Sequence, residues 1–123
     1  MEPIRLQSFG YRHGPPPDGA EVIDTRHLPV DHATLAGLAH LNGRHARILR
    51  LVTGVPGVRA FITSLVNHAL ALPADQPRRI ALGCETGRHV SPALVTTAHL
   101  HLRARGYRVV PLHRDIYTGR GER

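Results

Sequence analysis

The apolar positions near the start of the chain follow the pattern of two short strands separated by a stiff loop. Residues 4–9 and 20–24 are short runs with β-branched and aromatic side chains, bounded by glycine or proline, which is typical of strands. Between them, residues 10–19 contain three consecutive prolines and three glycines. Because proline fixes φ and lacks a backbone donor, we predict no regular structure in this stretch.

Helical spacing replaces this pattern between residues 32 and 72. A first, weak helix is predicted within residues 35–41 and a second within residues 46–52, each followed by a glycine. The strongest helix begins near Pro56 and ends before Pro73, with apolar residues at i, i+3 and i+4 spacing. Its apolar face is formed by Val58, Phe61, Ile62, Leu65, Val66, Ala69 and Leu70.

The last third of the chain predicts a strand, a loop, a helix and a further strand. Residues 79–84 are an apolar run without alternation, which is typical of a strand covered on both faces. We place the N-cap of the following helix at Ser91, with Pro92 as its first residue, because proline there loses no intrahelical bond. Residues 107–112 predict the last strand, and Pro111 indicates an edge position or a strand end.

This order of elements predicts an α/β fold, namely a single compact domain with a mostly parallel sheet of about four strands and flanking helices. We assign the domain to residues 1–118 and expect a flexible tail at residues 119–123. The chain has no run of about 18 apolar residues and no basic-then-apolar signal at its N-terminus. With a single cysteine, these features predict a cytoplasmic protein without a membrane partner.

The positive charge is concentrated in the last third of the chain. The formal net charge is +7, and all 16 basic residues are arginine. Residues 1–77 carry 7 arginines and 6 acids, whereas residues 78–123 carry 9 arginines and 3 acids, a balance of +6. Such a field attracts phosphorylated metabolites or nucleic acid, although an arginine-rich solvated surface would give the same count. The residues that we expect to bind RNA are Arg103, Arg105, Arg108 and Arg120.

The loop that joins the third predicted strand to the following helix is a candidate anion site. A helix N-terminus carries about half a positive charge and unpaired N–H groups. We expect a phosphate to accept backbone N–H bonds from residues 86–89, a hydroxyl bond from Ser91 and a bidentate contact from Arg88. The alternative is an ordinary strand–helix turn with exposed polar residues. The predicted ligand-binding residues of the loop are Cys84, Thr86, Gly87, Arg88, His89 and Ser91.

Cys84 has two interpretations. A helix N-terminus and Arg88 nearby would favour a nucleophilic thiolate, and the spacing from Cys84 to Ser91 is similar to that in the phosphate loop of cysteine phosphatases. Val90, however, stands where that loop has the arginine that clamps the phosphoryl group. We therefore favour a small residue buried at a strand end and keep a phosphatase-like enzyme using Cys84 as an alternative.

Two further polar clusters follow predicted strands. Asp24 and Arg26 come directly after the second strand, and His113 and Arg114 come after the fourth. Because parallel strands end at one edge of a sheet, we include these four residues in the ligand-binding site, with surface ion pairs as the alternative. The ten histidines show no HExxH pattern and no zinc-like pairing with cysteine, so we predict no metal and no cofactor.

Four segments of the chain resemble the C-terminal domain of the RNase adapter protein RapZ. They are residues 8–16, 22–29, 83–91 and 113–116, in the same order and at similar spacing over nearly the whole chain. The resemblance implies an α/β domain that senses glucosamine-6-phosphate, binds a small regulatory RNA and self-associates. In that family a nucleotide-binding domain with a Walker A loop precedes it. This chain contains no such motif and no lysine, so it resembles a free-standing version.

The loop departs from the family pattern, which usually reads Gly-Cys-Thr-Gly-Gly-Arg-His-Arg-Ser. Glu85, Thr86 and Val90 replace Thr, Gly and Arg, so one acid is gained and one cation is lost. A charge pair about 4 Å apart at a protein surface is worth about 4 kcal/mol before screening, and we expect these changes to shift the anion preference.

The function predicted from these observations is binding without catalysis. We predict a sensor domain for a phosphorylated small molecule of the amino-sugar-phosphate type, coupled to RNA binding and homo-oligomeric. An RNA-binding adapter without a metabolite ligand is the alternative.

Overall fold

A four-stranded parallel sheet forms the centre of the protein, whose computed structural model describes residues 2–118. The strands are β1 (Ile4–Gly10), β2 (Glu21–Asp24), β3 (Arg78–Cys84) and β4 (Val109–His113). Their order in the sheet is β2-β3-β1-β4, and every neighbouring pair is parallel. The predicted fold class is confirmed, while the tail predicted for residues 119–123 lies outside the described residues.

The helical layer packs on one face of this sheet. The helices are α1 (His32–Ala36), α2 (Ala46–Thr53), α3 (Val58–Ala71) and α4 (Val90–Ala104). Alternate residues of the two central strands, such as Leu6 and Ile80, share one buried core with residues of all four helices. Within residues 2–118 no single helix is long and apolar enough to cross a membrane, and α2 with α3 reaches that length only as a pair bent by 97°.

The opposite face of the sheet is covered at its carboxyl end by Phe9, near the end of β1, and by Tyr11, which follows the strand. Phe9 is fully buried there, and its ring meets that of Tyr11 edge-on with the ring centroids 4.9 Å apart. A Cβ atom at position 83 would collide with both rings, so Gly83 is what allows the aromatic pair to lie against β3.

The stretch after β1 is more regular than its proline content predicts. Gly10 is the last residue of β1, and Tyr11–His13 form a single turn of 3-10 helix. The Arg12 N–H donates to the carbonyl oxygen of Glu85 over 3.0 Å, which ties this turn to the loop after β3. The prediction of no regular structure was therefore wrong for residues 10–13, because the prolines that impose irregularity begin only at Pro15.

The start of α4 also differs from its prediction. The helix begins at Val90 with His89 at the N-cap, whereas Ser91 and Pro92 lie in its first turn. Ser91 is fully buried, and its hydroxyl donates to the carbonyl oxygen of Phe9 over 3.2 Å. The N-cap prediction at Ser91 was wrong because this hydroxyl bonds to β1 inside the fold. Pro92 is still tolerated, since N–H groups of the first turn have no intrahelical partner.

The last strand is shifted along the chain relative to its prediction. It runs over Val109–His113 instead of residues 107–112, and it pairs only with β1. Pro111 therefore lies in an edge strand, as predicted from its missing backbone donor.

Candidate functional site

The loop from Cys84 to Ser91 folds back on itself at the carboxyl end of β3. Gly87 adopts a φ of 74°, and its N–H donates to Cys84 Sγ over 3.2 Å. The Arg88 N–H donates to Thr86 Oγ1, also over 3.2 Å. Two of the four backbone N–H groups that we expected to bind a phosphate are thus used within the loop.

Gly87 holds this loop against the end of β1. A Cβ atom at this position would lie 2.6 Å from the Gly10 nitrogen and 2.9 Å from Asp115 Cβ. Both the positive φ and this close approach require glycine. The predicted site residue Gly87 therefore shapes the loop.

Cys84 and Ser91 form a buried pair beneath the loop. Cys84 Sγ lies 3.1 Å from Ser91 Oγ. Because the Ser91 hydroxyl donates to Phe9, the thiol S–H is left to donate to Ser91 Oγ. This arrangement matches the interpretation of Cys84 as a small buried residue at a strand end, with 5% of its surface exposed.

Arg88 and His89 fasten the segment after α1 onto the loop. The Arg88 guanidinium donates to the carbonyl oxygens of Ala39, over 2.6 Å, and Ile116, over 3.2 Å. His89 Nε2 lies 2.9 Å from the carbonyl oxygen of Leu41. Burial lowers the pKa of His89, so its imidazole is neutral near pH 7, and Nε2 carries the proton that it donates.

A cavity of about 590 Å³ opens above this loop, between the carboxyl ends of β1, β2 and β3 and the segment that contains α1. Small-molecule sites in proteins usually have a volume between about 300 and 1,000 Å³. The polar residues that line the cavity are Arg12, Thr25, Arg26, His32, Glu85, Thr86, Arg88 and His89. The apolar residues that line it are Leu28, Val30, Leu35, Ala36, Ala39, Cys84 and Val90.

Half of the predicted ligand-binding residues line this cavity. They are Arg26, Cys84, Thr86, Arg88 and His89. The residues of the predicted set that do not line it are Asp24, Gly87, Ser91, His113 and Arg114. The parallel sheet therefore brings the strand ends to one edge as expected, but only part of each cluster faces the same space.

Asp24 positions Arg26 at the rim of the cavity. Its carboxylate accepts bonds from Arg26 Nε, over 3.0 Å, and from Arg26 Nη2, over 2.7 Å. The hydrogen bond from Arg26 is the main reason that the pKa of Asp24 is lowered. The guanidinium also lies 3.7 Å from the centroid of the Tyr11 ring. Arg26 is thus held in place while 44% of its side chain stays exposed.

Arg114 stabilises the fold on the other side of β1, where β4 ends. Its guanidinium lies 2.9 Å from Asp115 Oδ2 and donates to the carbonyl oxygen of Pro15 over 2.6 Å. Asp115 Oδ2 also accepts the Gly10 N–H over 2.8 Å. These bonds fasten the proline-rich stretch to the end of β4, so Arg114 is not brought to the cavity.

His113 is the last residue of β4, and its side chain bonds to β1. Its Nδ1 lies 2.7 Å from Ser8 Oγ, a fully buried hydroxyl on β1. Burial, with smaller contributions from Arg44 and His99, lowers the pKa of His113 to about 4. The imidazole is therefore neutral near pH 7 and adds no positive charge to the edge of the sheet.

The cavity includes polar residues that sequence reasoning missed. Arg12 lies just beyond β1 and Glu85 just beyond β3, and both line the cavity. Because parallel strands end at one edge of the sheet, the argument that predicted Arg26 as a site residue applies to both. Thr25 Oγ1 is bonded to the carbonyl oxygen of Gly83 over 2.8 Å and had no separate signal. Leu28 and Leu35 belong both to the hydrophobic core and to the cavity lining, and nothing in the sequence distinguishes these two roles.

The predicted RNA-binding arginines lie at the other end of the sheet. Arg103, Arg105 and Arg108 are all exposed at the end of α4 and in the turn before β4. The Arg108 carbonyl oxygen accepts the N–H of Ile4, the first residue of β1, so this turn borders the amino end of the sheet. Arg120 lies outside the described residues. Across residues 2–118 no group of three or more His, Cys, Asp or Glu side chains is placed to hold a metal ion.

Comparison with known proteins identifies relatives over almost the whole chain. A sequence profile described as the RapZ C-terminal domain matches residues 2–117. A nucleotide-binding protein of Trichlorobacter lovleyi is 33% identical over 122 residues, which cover 94% of this chain and 42% of the relative. A nucleotide-binding protein of Laribacter hongkongensis is 35% identical, covering 92% of this chain and 42% of the relative. A nucleotide-binding protein of Mycobacterium tuberculosis is 34% identical, covering 92% of this chain and 40% of the relative.

These matches show that the chain corresponds to one part of each relative. The chain spans less than half the length of each of these relatives, and the names of the relatives describe binding and not catalysis. The profile match covers the strands, the loop and the cavity residues described above. This chain therefore belongs to the RapZ C-terminal domain family.

Proposed function

We propose that this domain senses a phosphorylated small molecule in the cavity above the Cys84–Ser91 loop. The observation that carries the proposal is the charge of that cavity, which is lined by three arginines and one acid. They are Arg12, Arg26, Arg88 and Glu85. A site with excess guanidinium charge at the carboxyl edge of a parallel sheet fits an anionic ligand.

Arg26 is the side chain best suited to hold the phosphate. Its bonds to Asp24 and its contact with the Tyr11 ring fix the guanidinium before a ligand arrives, which reduces the conformational entropy lost on binding. Guanidinium groups bind phosphate oxygens in a bidentate manner. Arg12 approaches the same cavity from the end of β1 and adds a second cation.

Amino-sugar phosphates are the first ligands to test, because the family resemblance implies them. Glu85 supports a ligand that also carries an ammonium group, since it places one carboxylate among the three arginines of the cavity. Glu85 also supports a ligand preference that differs from that of family members with threonine at this position. Inorganic phosphate and nucleotides are suitable comparison ligands.

Replacing Arg26 should weaken any phosphate ligand. We expect Arg26→Ala to raise the Kd of glucosamine-6-phosphate about tenfold, as is typical for the loss of a charge-assisted bond. Isothermal titration with the wild type and the variant measures this. Arg59→Ala, which removes an exposed arginine from α3, is the control and should leave the Kd unchanged. No detectable binding of any phosphate compound at millimolar concentration would count against the proposal.

RNA binding is a second candidate function, supported by the exposed arginines at the end of α4. Arg103, Arg105 and Arg108 fall within six residues and lie at the end of the sheet opposite the cavity. Tyr107 is 37% exposed among them, but few aromatic residues are available, which favours contacts to the RNA backbone over base stacking. Ligand and RNA would then bind without competing for the same surface.

The salt dependence of RNA affinity tests this candidate. We expect the wild-type affinity to fall steeply as salt rises, and Arg105→Ala to lower the slope of log K against log salt by about 0.7 to 0.9. Arg59→Ala is again the control, with an unchanged slope. Affinity that is independent of salt would exclude a mechanism based on phosphate contacts. Self-association and a cytoplasmic location are further expectations, which sedimentation and cell fractionation test.

A further inference from the structure

An open groove lies beside the proposed binding cavity and has a different lining. Its volume is about 320 Å³, which falls within the usual range of small-molecule sites. We name it the Tyr117 groove, and it is lined by His40, Leu41, Asn42, Arg44, His45 and Tyr117. None of these six residues lines the cavity, although His40 directly follows Ala39, which does. The groove is therefore a neighbouring site and not an extension of the cavity.

Gly43 fixes one wall of the groove against the start of α4. Its N–H donates to the carbonyl oxygen of Arg88 over 2.8 Å. Gly43 is buried, and a Cβ atom there would lie 2.6 Å from the Ala93 nitrogen, so only glycine permits this close approach. Its neighbours Asn42 and Arg44 are thereby held at the groove.

Arg88 fixes the two walls of the groove relative to each other. Its guanidinium donates to the carbonyl oxygens of Ala39 and Ile116. These residues directly precede His40 and Tyr117, one on each wall. The groove is therefore assembled before a ligand arrives, which reduces the conformational entropy lost on binding.

The polar lining of the groove presents hydrogen-bond donors. Asn42 Oδ1 accepts the Arg44 N–H over 2.9 Å, which leaves the amide NH₂ of Asn42 to donate. His45 Nδ1 accepts the Arg47 N–H over 3.1 Å, so the imidazole carries its proton on Nε2. The Arg44 guanidinium adds a cation, and across residues 2–118 no Asp or Glu side chain lines the groove. Such a lining fits a ligand with acceptor oxygens and negative charge, such as a phosphate.

The aromatic ring of Tyr117 forms the opposite wall. The side chain is 59% exposed, and its backbone lies in a turn closed by the Thr118 N–H, which donates to the carbonyl oxygen of Asp115 over 3.1 Å. The ring of Tyr11 is covered by Arg26, whereas no ring or guanidinium of the described residues stacks on Tyr117. An exposed ring beside a cation is the combination with which proteins bind a nucleobase and its phosphate.

We propose that the Tyr117 groove binds a nucleoside phosphate. The base stacks on Tyr117, and the phosphate accepts bonds from Arg44 and Asn42. The inference goes beyond the proposed function, because it concerns a second site that does not depend on the ligand of the cavity. A free nucleotide and a nucleotide unit of single-stranded RNA share this chemistry, and the titrations below distinguish them.

Titration of the wild-type protein with AMP, adenosine and ribose 5-phosphate tests the inference. AMP carries both the base and the phosphate, whereas each of the other two compounds lacks one of them. We expect AMP to bind about tenfold more tightly than either, since stacking of a base on an aromatic ring and a guanidinium–phosphate contact each contribute to its affinity. Isothermal titration gives the three dissociation constants.

Two matched pairs of variants locate the binding site. We expect Tyr117→Ala to weaken AMP about tenfold and Tyr117→Phe to preserve its affinity, because stacking requires only the ring. Arg44→Ala should also weaken AMP about tenfold, whereas Arg47→Ala, which removes an exposed arginine outside the groove, should not. All four variants should bind glucosamine-6-phosphate as the wild type does, and thermal melting checks that they fold.

An adenylate hexamer distinguishes the two sources of the nucleotide. If the groove binds single-stranded RNA, the hexamer should bind at least about tenfold more tightly than AMP, with an affinity that falls in Tyr117→Ala. If it binds a free nucleotide, the hexamer should bind no more tightly than AMP.

The outcomes also separate this inference from the proposed function. Equal affinity for AMP and ribose 5-phosphate, equal losses in the two Tyr117 variants, or AMP binding that is unchanged in Tyr117→Ala and Arg44→Ala would each overturn the inference while the cavity proposal stands. Failure of glucosamine-6-phosphate and inorganic phosphate to bind, with AMP binding sensitive to Tyr117 and Arg44, would overturn the proposed function and leave the groove.

Discussion

Arginines of similar local sequence have different roles in this domain. Arg26 and Arg114 each follow a strand, and each bonds a carboxylate nearby in the chain. Arg26 lines the cavity, whereas Arg114 bonds the carbonyl oxygen of Pro15 and fastens the proline-rich stretch. Which role an arginine takes depends on the surface that lies beside its strand end, and a local motif does not contain that information.

Gly87 is the residue whose replacement tests the loop most directly. We expect Gly87→Ala to lower the free energy of unfolding by about 3 kcal/mol, because the positive φ and the clash with Gly10 both oppose a Cβ atom. Gly57→Ala is the control, since Gly57 also has a positive φ, of 88°, but no atom within 4 Å of its Cβ position. It should cost only about 1 kcal/mol.

Urea unfolding measures both glycine variants. Equal losses of unfolding free energy in the two variants would show that backbone conformation alone explains the requirement for glycine at position 87. A larger loss for Gly87→Ala would show that the loop packs against β1 as described.

At the scale of elements, the short helix α1 depends on its surroundings. It has five residues, too few to be stable alone. Asp31 caps its start, accepting bonds from the Thr34 N–H over 3.1 Å and from Thr34 Oγ1 over 2.7 Å. The turn after the helix is held by Arg88 and His89. The wall of the cavity is therefore placed by capping at one end and by the loop at the other.

Removing the cap of α1 should affect both stability and binding. We expect Asp31→Ala to cost about 1 kcal/mol of unfolding free energy, the usual value for a lost N-cap, and to weaken cavity ligands by several-fold. Urea unfolding and ligand titration measure the two effects. Asp75→Ala, at an exposed position before β3, is the control. A stable variant with an undisturbed cavity would show that the loop alone holds α1.

At the scale of the whole molecule, the sheet separates two basic regions. The cavity lies at the carboxyl ends of the strands, and the exposed arginines Arg103, Arg105 and Arg108 border the amino end. The arginines of the last third of the sequence are therefore divided between the two ends of the sheet, with Arg88 at the cavity. Helix α4 joins the two regions, because it begins at Val90 in the cavity lining and ends beside Arg105.

Buried and partly buried histidines make the stability of the whole domain sensitive to acid. The pKa of His113 is lowered to about 4, mainly by burial. An unfolded histidine titrates near pH 6.5, so between about pH 6.5 and 4 the unfolded state binds a proton that the folded state does not. The free energy of unfolding should therefore be constant above this range and fall within it. The loss is at most about 3 kcal/mol, and less where water screens the charge.

Urea unfolding at pH 7, 6, 5 and 4 measures this dependence. His113→Gln should flatten the slope, while His101→Gln, at an exposed position on α4, should leave it unchanged. Burial also lowers the pKa of His89 and His99, so a smaller slope of the same sign should persist in the His113 variant. A wild-type stability that does not change between pH 7 and 4 would contradict the assignment of neutral buried histidines.

The sequence by itself determined the order of the elements, the parallel sheet and the position of the loop. These follow from local periodicity, glycine and proline positions, and the rule that strand ends meet at one edge. Only the tertiary structure decided that Ser91 bonds to Phe9, that Arg114 bonds to Pro15, and that residues 28–39 form a cavity wall. The physical reason is that these features join residues far apart in the chain, and their geometry exists only once the core has packed.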